Sequence, residues 1–177
     1  MKINKKHFNL KKVHLAALLG VLFTFYNCKR HSDMQDHGAE FFQGVWVQDS
    51  IANQDQMIGY TIHEFKVTCD SIYASMKVHS KTQSIPDSCY GDGNWMEYAK
   101  AVYALRGDSI IVDGVYTREN GKQKISGCYK TGQYAPRFKV AYIGKDSVVL
   151  ENRFDARPII LRKTKDIVCV PKKRWEL

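Results

Sequence analysis

Residues 44–164 consist of short runs in which apolar and polar residues alternate, separated by residues that favour turns. A period of two places successive side chains on opposite faces of a β-strand, and regularly spaced runs of this kind are typical of an all-β sandwich or barrel. No window shows a helical period longer than two turns. The predicted strands are 44–50, 59–69, 71–80, 94–105, 109–118, 122–132, 137–143, 147–154 and 158–164.

A faint repeat indicates how these runs are connected. Asp-Ser followed by two strand-forming residues occurs at 70–73, 108–111 and 146–149, each copy 38 residues after the one before. Asp and Ser side chains form hydrogen bonds to nearby backbone groups and so stabilise turns. Each copy therefore predicts the return of a hairpin, and the chain is expected to form an antiparallel meander.

Two of these hairpins can be placed in register. Asn-Gly at 120–121 is the preferred pair for a type I′ turn, and it would place Tyr116, Ile125 and Tyr129 on one apolar face. A turn at Asp-Ser, 70–71, pairs Phe65 with Met76 and directs His63 to the same side. Both hairpins then have one apolar and one polar face, as a closed antiparallel barrel requires.

The N-terminus carries a targeting pattern. Residues 1–12 include five lysines and no acidic residue, and 13–26 are mainly apolar, which is too short to span a bilayer of about 30 Å. Cys28 follows, and the segment resembles a bacterial lipoprotein signal, although Phe-Tyr-Asn at 25–27 departs from the usual residues before the cysteine. This implies a lipid on Cys28 that binds the membrane; an uncleaved anchor is the alternative.

The resemblance divides the chain into four parts: a signal peptide, 1–27; a tether, 28–43; the β domain, 44–165; and a C-terminal tail, 166–177. It also implies a location in the bacterial cell envelope, with the protein anchored by lipid to the periplasmic face of the outer membrane.

Five cysteines bear on the fold. If Cys28 is acylated, the remaining four form an even set in an exported chain, where disulfides are stable. These four are Cys69, Cys89, Cys128 and Cys169. Three pairings are open, and buried free thiols are the alternative to bridges. No spacing matches a zinc or iron–sulfur motif, so we predict no metal and no cofactor.

The net charge of +9 does not indicate a nucleic-acid partner. Without residues 1–27, 22 Lys and Arg remain against 18 Asp and Glu, a balance of +4. These charges are mixed in sign along the chain instead of forming a basic stripe with stacking aromatics. We therefore expect no nucleic-acid binding.

The first and last strands carry a family resemblance. Gly-Val-Trp at 44–46 resembles the Gly-x-Trp start of lipocalin-like barrels, and Arg162 lies where that family has an arginine packed over the tryptophan. The resemblance implies a single antiparallel up-and-down barrel of eight to nine strands that holds a small apolar ligand. It assigns Trp46 and Arg162 a structural role at the base of the barrel.

The interior of this barrel supplies the predicted binding residues. Inward aromatic and sulfur side chains would form the wall, and a histidine its polar group; these are His63, Phe65, Met76, Tyr116 and Tyr129. The loop 81–93 and Trp95 would lie at the opening. No pair of carboxylates and no nucleophile or phosphate-loop motif is present, so we predict no catalytic residues.

The sequence thus predicts a lipid-anchored envelope protein that binds a small apolar or amphipathic molecule. The main alternative is an interaction or structural module whose barrel is filled by its own side chains. The chain also resembles short envelope lipoproteins that sometimes carry an automatic label of fumarate hydratase. A small lyase is therefore the third reading, although neither class of that enzyme has motifs visible here.

Overall fold

The computed structural model describes residues 36–83, 86–152 and 155–172. Within them lie two short 3₁₀ helices, Glu40–Phe42 and Gln54–Gln56, and one turn of α-helix, Asp87–Tyr90. The described strands are β1 Gly44–Gln48, β2 Gly59–Thr68, β3 Ser71–Ser80, β4 Asn94–Arg106, β5 Ser109–Thr117, β6 Gln133–Tyr134, β7 Arg137–Ile143, β8 Ser147–Asn152 and β9 Asp155–Lys165. No helix in this part of the chain has the length and apolar character needed to cross a membrane.

The strands close into a barrel. Strands β1 to β5 pair in sequence, β5 pairs with β7, and β7, β8 and β9 follow in order. Pairing of β9 with β1 completes a ring of eight antiparallel strands. The short β6 pairs with Gly114 and Val115 of β5, whereas β7 pairs with the earlier residues 109–111 of the same strand. β6 is therefore an additional strand outside the ring of eight. The predicted all-β, up-and-down antiparallel barrel is therefore confirmed.

Eight of the nine predicted strands are present, but the predicted strand 122–132 is wrong. A single bridge joins Thr117 to Gln123, one position away from the register expected for the Asn-Gly turn. Ile125, expected on the apolar face, is 82% exposed. Gly127 and Tyr129 have positive φ values, of +120° and +65°, which end the extended conformation that a strand needs.

The β2–β3 turn differs from its prediction in a way that leaves the faces unchanged. Thr68 pairs with Ser71, so the two turn residues are Cys69 and Asp70. Phe65 consequently lies opposite Ala74 and not opposite Met76. A shift of two positions keeps each side chain on its own face, because strand side chains alternate with a period of two.

One end of the barrel is filled by aromatic side chains. Trp46 is fully buried, and its Nε1 donates a hydrogen bond of 2.8 Å to the carbonyl oxygen of Phe42. The ring of Phe42 packs edge-on against Tyr103, with 5.6 Å between the ring centroids. We call this the closed end; Phe42 takes part in it although it lies in the predicted tether 28–43.

The predicted packing of Arg162 over Trp46 is wrong. The side chain of Arg162 is 69% exposed and pairs with Asp49. The next residue, Lys163, occupies the expected place, with its ammonium 4.9 Å from the centroid of the Trp46 ring. Neighbouring residues of a strand face opposite sides, so only one of the two can reach the tryptophan.

A glutamine ties the β2–β3 turn to the chain before β1. The Gln43 Oε1 accepts a hydrogen bond of 2.6 Å from the Cys69 backbone nitrogen, and its Nε2 donates one of 2.8 Å to the Cys69 carbonyl. Cys69 has a φ of +53°, which is uncommon for a residue other than glycine. The amide of Gln43 holds it in that conformation.

Two disulfides cross-link the domain, so the expectation of at least one bridge is confirmed. Cys69 bonds to Cys169 and fastens the segment after β9 to the closed end. Cys89 bonds to Cys128 and joins the β3–β4 connection to the β5–β6 connection at the other end of the barrel.

Candidate ligand-binding cavity

The end of the barrel opposite Trp46 is hollow. A cavity of about 740 Å³ lies among the inner positions of β2, β3 and β4 and the loops at this end. Its apolar wall includes Ile51, Met76, Val78 and Ile159. Below it, large side chains such as Phe65, Leu150 and Leu161 fill the interior. An eight-stranded barrel has room for one small ligand, and here that room is confined to the open half.

A glutamine fixes the orientation of His63. The Gln48 side chain is buried, and its Oε1 lies 3.0 Å from the backbone nitrogen of His63 and 2.8 Å from its Nδ1. The backbone N–H is always a donor, so the atom facing it must be the amide oxygen. The same oxygen then accepts from Nδ1, which therefore carries a proton.

Glu97 connects the barrel wall to the loop between β5 and β6. The carboxylate is 2% exposed, and it forms an ion pair of 3.1 Å with the Lys124 ammonium. Its other oxygen accepts a hydrogen bond of 3.3 Å from the Lys130 backbone nitrogen. A buried carboxylate needs such partners, and these two contacts hold the segment 124–130 against the barrel.

An aromatic pair stands beside this carboxylate. The rings of Trp95 and Tyr129 are stacked, with centroids 4.1 Å apart and an angle of 7° between the planes. The Trp95 Nε1 and the Tyr129 hydroxyl are both buried and have no hydrogen-bond partner in the part of the chain that the structure describes. Burial, followed by the charge of Glu97, raises the pKa of Tyr129, so its hydroxyl is protonated at neutral pH.

The structure brings most of the predicted binding residues to the cavity. His63, Met76 and Tyr129 line it, and Tyr116 lines a smaller adjoining hollow of about 270 Å³. Phe65 lies in the core below, with its ring centroid 5.6 Å from that of His63. Their role in binding stays a prediction. The predicted lipid-attachment residue, Cys28, lies outside the described residues.

Sequence reasoning missed several polar residues of the wall. Gln48 lies two positions after Trp46 and therefore points inward from β1. A polar residue at an inward position is the sequence feature that could have identified it. Glu97 belongs in the same way to the inward series of β4. Lys124 and Lys130 carry no such signal, because the sequence predicts a regular strand for their segment. No cluster of three or more His, Cys, Asp or Glu suited to a metal is found among the described residues.

The strand pairing and the cavity define this chain as an eight-stranded antiparallel barrel that is filled at one end and hollow at the other. No family model matches the sequence, and no curated protein matches it. Among solved structures it aligns with the crystal structure of a lipocalin-like protein from Bacteroides uniformis ATCC 8492, at 17% identity and a TM-score of 0.37. The alignment covers 70% of this chain and 98% of the other. Similarity at this level carries no argument about function.

Proposed function

We propose that the protein binds a small apolar or amphipathic molecule in the open half of the barrel. The observation that carries the proposal is the cavity of about 740 Å³, which lies within the range of small-molecule sites, roughly 300–1,000 Å³. Its wall combines apolar side chains with a few polar groups, a composition typical of such sites.

Native mass spectrometry of gently purified full-length protein tests this proposal. We expect a discrete extra mass that is lost when the same sample is sprayed under denaturing conditions. A protein that carries no extra mass and also fails to bind the environment-sensitive dye 1-anilinonaphthalene-8-sulfonate would contradict it. Competition by compounds extracted from the native sample would identify the class of ligand.

The second candidate function is an interaction or structural module. The filled closed half favours it, because Trp46, Phe65, Val67, Ile110 and Leu161 leave no room there for a ligand. If the protein is such a module, substitutions of residues in the open half change neither its binding to a partner nor the mass of any molecule bound to it.

We also propose that a lipid on Cys28 attaches the protein to the cell envelope. The Asp36 backbone nitrogen donates a hydrogen bond of 3.3 Å to the Asp70 carboxylate, so the described chain begins at the closed end. A lipid on Cys28 would therefore be connected covalently to the domain through this end of the chain. Denaturing mass spectrometry should show a chain that starts at Cys28 with a diacylglyceryl group; an unmodified cysteine would refute the proposal.

A further inference from the structure

Two acceptors and two donors on residues of the cavity wall differ in whether the protein itself supplies their hydrogen-bond partners. Two strong acceptors are already engaged within the protein. The Gln48 Oε1 accepts hydrogen bonds from the backbone nitrogen and the Nδ1 of His63, and the Glu97 carboxylate accepts from the Lys124 ammonium and from the Lys130 backbone nitrogen. A ligand therefore finds these acceptors already occupied.

The donors of the aromatic pair are in the opposite position. An indole nitrogen can only donate a hydrogen bond, and the Trp95 Nε1 has no acceptor among the described residues. The Tyr129 hydroxyl is also buried and without a partner in this part of the chain. Buried polar groups are almost always paired, so two unpaired ones on residues that line one cavity indicate a missing acceptor.

The charges of the wall have the same bias. Lys130 lines the cavity, whereas the negative charge of Glu97 is balanced by Lys124. The Lys130 ammonium also lies 6.0 Å from the centroid of the Tyr116 ring, in the adjoining hollow. Positive charge near a partly desolvated cavity favours an anion, since charge-assisted hydrogen bonds are stronger than neutral ones.

We propose that the cavity selects amphiphiles with an anionic head group, whose oxygens accept hydrogen bonds from Trp95 Nε1 and the Tyr129 hydroxyl beside Lys130. The apolar body of the ligand packs against Ile51 and Val78. This inference rests on the proposed function and adds the class of ligand. A cationic head group would leave both donors unpaired and would meet like charge, so the same wall discriminates against it.

Three probes with the same hydrocarbon chain test the proposal: dodecanoate, dodecan-1-ol and dodecyltrimethylammonium. Their affinities for full-length protein are measured by isothermal titration calorimetry at neutral pH, below the concentrations at which they form micelles. We expect dodecanoate to bind roughly tenfold or more tightly than the alcohol, the ratio expected for one charge-assisted hydrogen bond, and the cation to bind most weakly.

Isosteric variants locate the preference. Tyr129→Phe removes only the hydroxyl, and Lys130→Met removes only the charge; each should reduce the ratio of dodecanoate to dodecanol affinity severalfold while leaving the affinity for the alcohol in place. Trp95→Phe is a second test of the donor pair if Tyr129→Phe does not fold. Tyr142→Phe and Lys145→Met change exposed residues away from the cavity and serve as matched controls.

Each outcome separates this inference from the proposed function. Equal binding of all three probes, or a dodecanoate preference that survives in the Tyr129, Trp95 and Lys130 variants, overturns the anionic head group and leaves ligand binding intact. Failure of every probe to bind, together with no bound mass in the native sample, overturns ligand binding itself.

Discussion

At the scale of single residues, the closed end depends on one buried amide. The Gln43 side chain contacts both polar backbone groups of Cys69, and its Nε2 also lies 3.2 Å from the Tyr103 hydroxyl. Cys69 is buried, so water cannot replace these hydrogen bonds when the amide is removed.

Gln43→Ala should therefore lower the free energy of unfolding by about 2–4 kcal/mol, because it leaves a buried donor and a buried acceptor unpaired. Gln56→Ala, at an exposed position, should change it by less than about 0.5 kcal/mol. Urea denaturation of both variants checks this, and equal small effects would show that the turn does not need Gln43.

Tyr134 makes the stability of the folded protein depend on pH in the alkaline range. Its side chain is buried, and burial raises the pKa of the phenol far above the ordinary value of about 10. The folded state therefore keeps Tyr134 neutral at a pH where the unfolded chain ionises. The contribution of Tyr134 to the free energy of unfolding is fully present below pH about 10 and is lost as the pH rises above that value.

We expect the free energy of unfolding to fall above pH about 10, and to fall less steeply in Tyr134→Phe. The exposed Tyr142→Phe variant should keep the slope of the unmodified protein. Denaturant titrations at a series of alkaline pH values measure the slopes; identical slopes in all three proteins would contradict the assignment.

At the scale of elements, the alternation of residues predicts most strands because each carries its own inward and outward series. The β2–β3 turn lies one residue earlier in the chain than predicted, which shifts the cross-strand partners by two positions. Phe65 and His63 therefore keep their predicted faces. At the Thr117–Gln123 bridge the register moves by a single position, and Ile125 leaves the apolar face. A register error of two is therefore harmless to a predicted site, whereas an error of one is not.

The segment 118–132 was unpredictable for a further reason. Its conformation depends on contacts with residues distant in sequence, namely the Cys89–Cys128 disulfide and the bonds of Lys124 and Lys130 to Glu97. Alternation within the segment suggests a strand, and these contacts override it. Tyr129 reaches the cavity all the same, but from this loop and not from the strand wall.

Removing the Cys89–Cys128 bridge should loosen this loop selectively. In Cys89→Ser with Cys128→Ser, we expect faster amide hydrogen exchange across 122–130, and a free energy of unfolding lower by about 2–4 kcal/mol. Cys69→Ser with Cys169→Ser is the matched control: it should destabilise the domain and leave protection of 122–130 unchanged. Equal exchange in both double variants would show that Glu97 alone holds the loop.

At the scale of the whole molecule, one interior links all eight strands of the ring. Leu161 of β9 is fully buried among side chains from the other strands, whereas its neighbour Ile160 is exposed on the outside. The two residues are similar in size and adjacent in sequence. Comparing substitutions at the two positions therefore separates the loss of stability from core packing from the loss caused by changing a strand residue.

Leu161→Ala should cost about 2–5 kcal/mol, and Ile160→Ala less than about 1 kcal/mol. Because the ring is continuous, we expect one cooperative transition in both variants, with the same midpoint by circular dichroism and by tryptophan fluorescence. Separate midpoints would show that the open and closed halves unfold independently.

The pairing of β1 with β9 also has a consequence during synthesis. Trp46 of the first strand has Lys163 of the last as its partner, so the ring stays open until the residues of β9 have emerged. In a growing chain, β1 and β8 each present an edge of unpaired backbone groups, which is the usual site of aggregation between strands. Both edges therefore stay unpaired until the last strand arrives, and β9 protects the finished barrel by closing them.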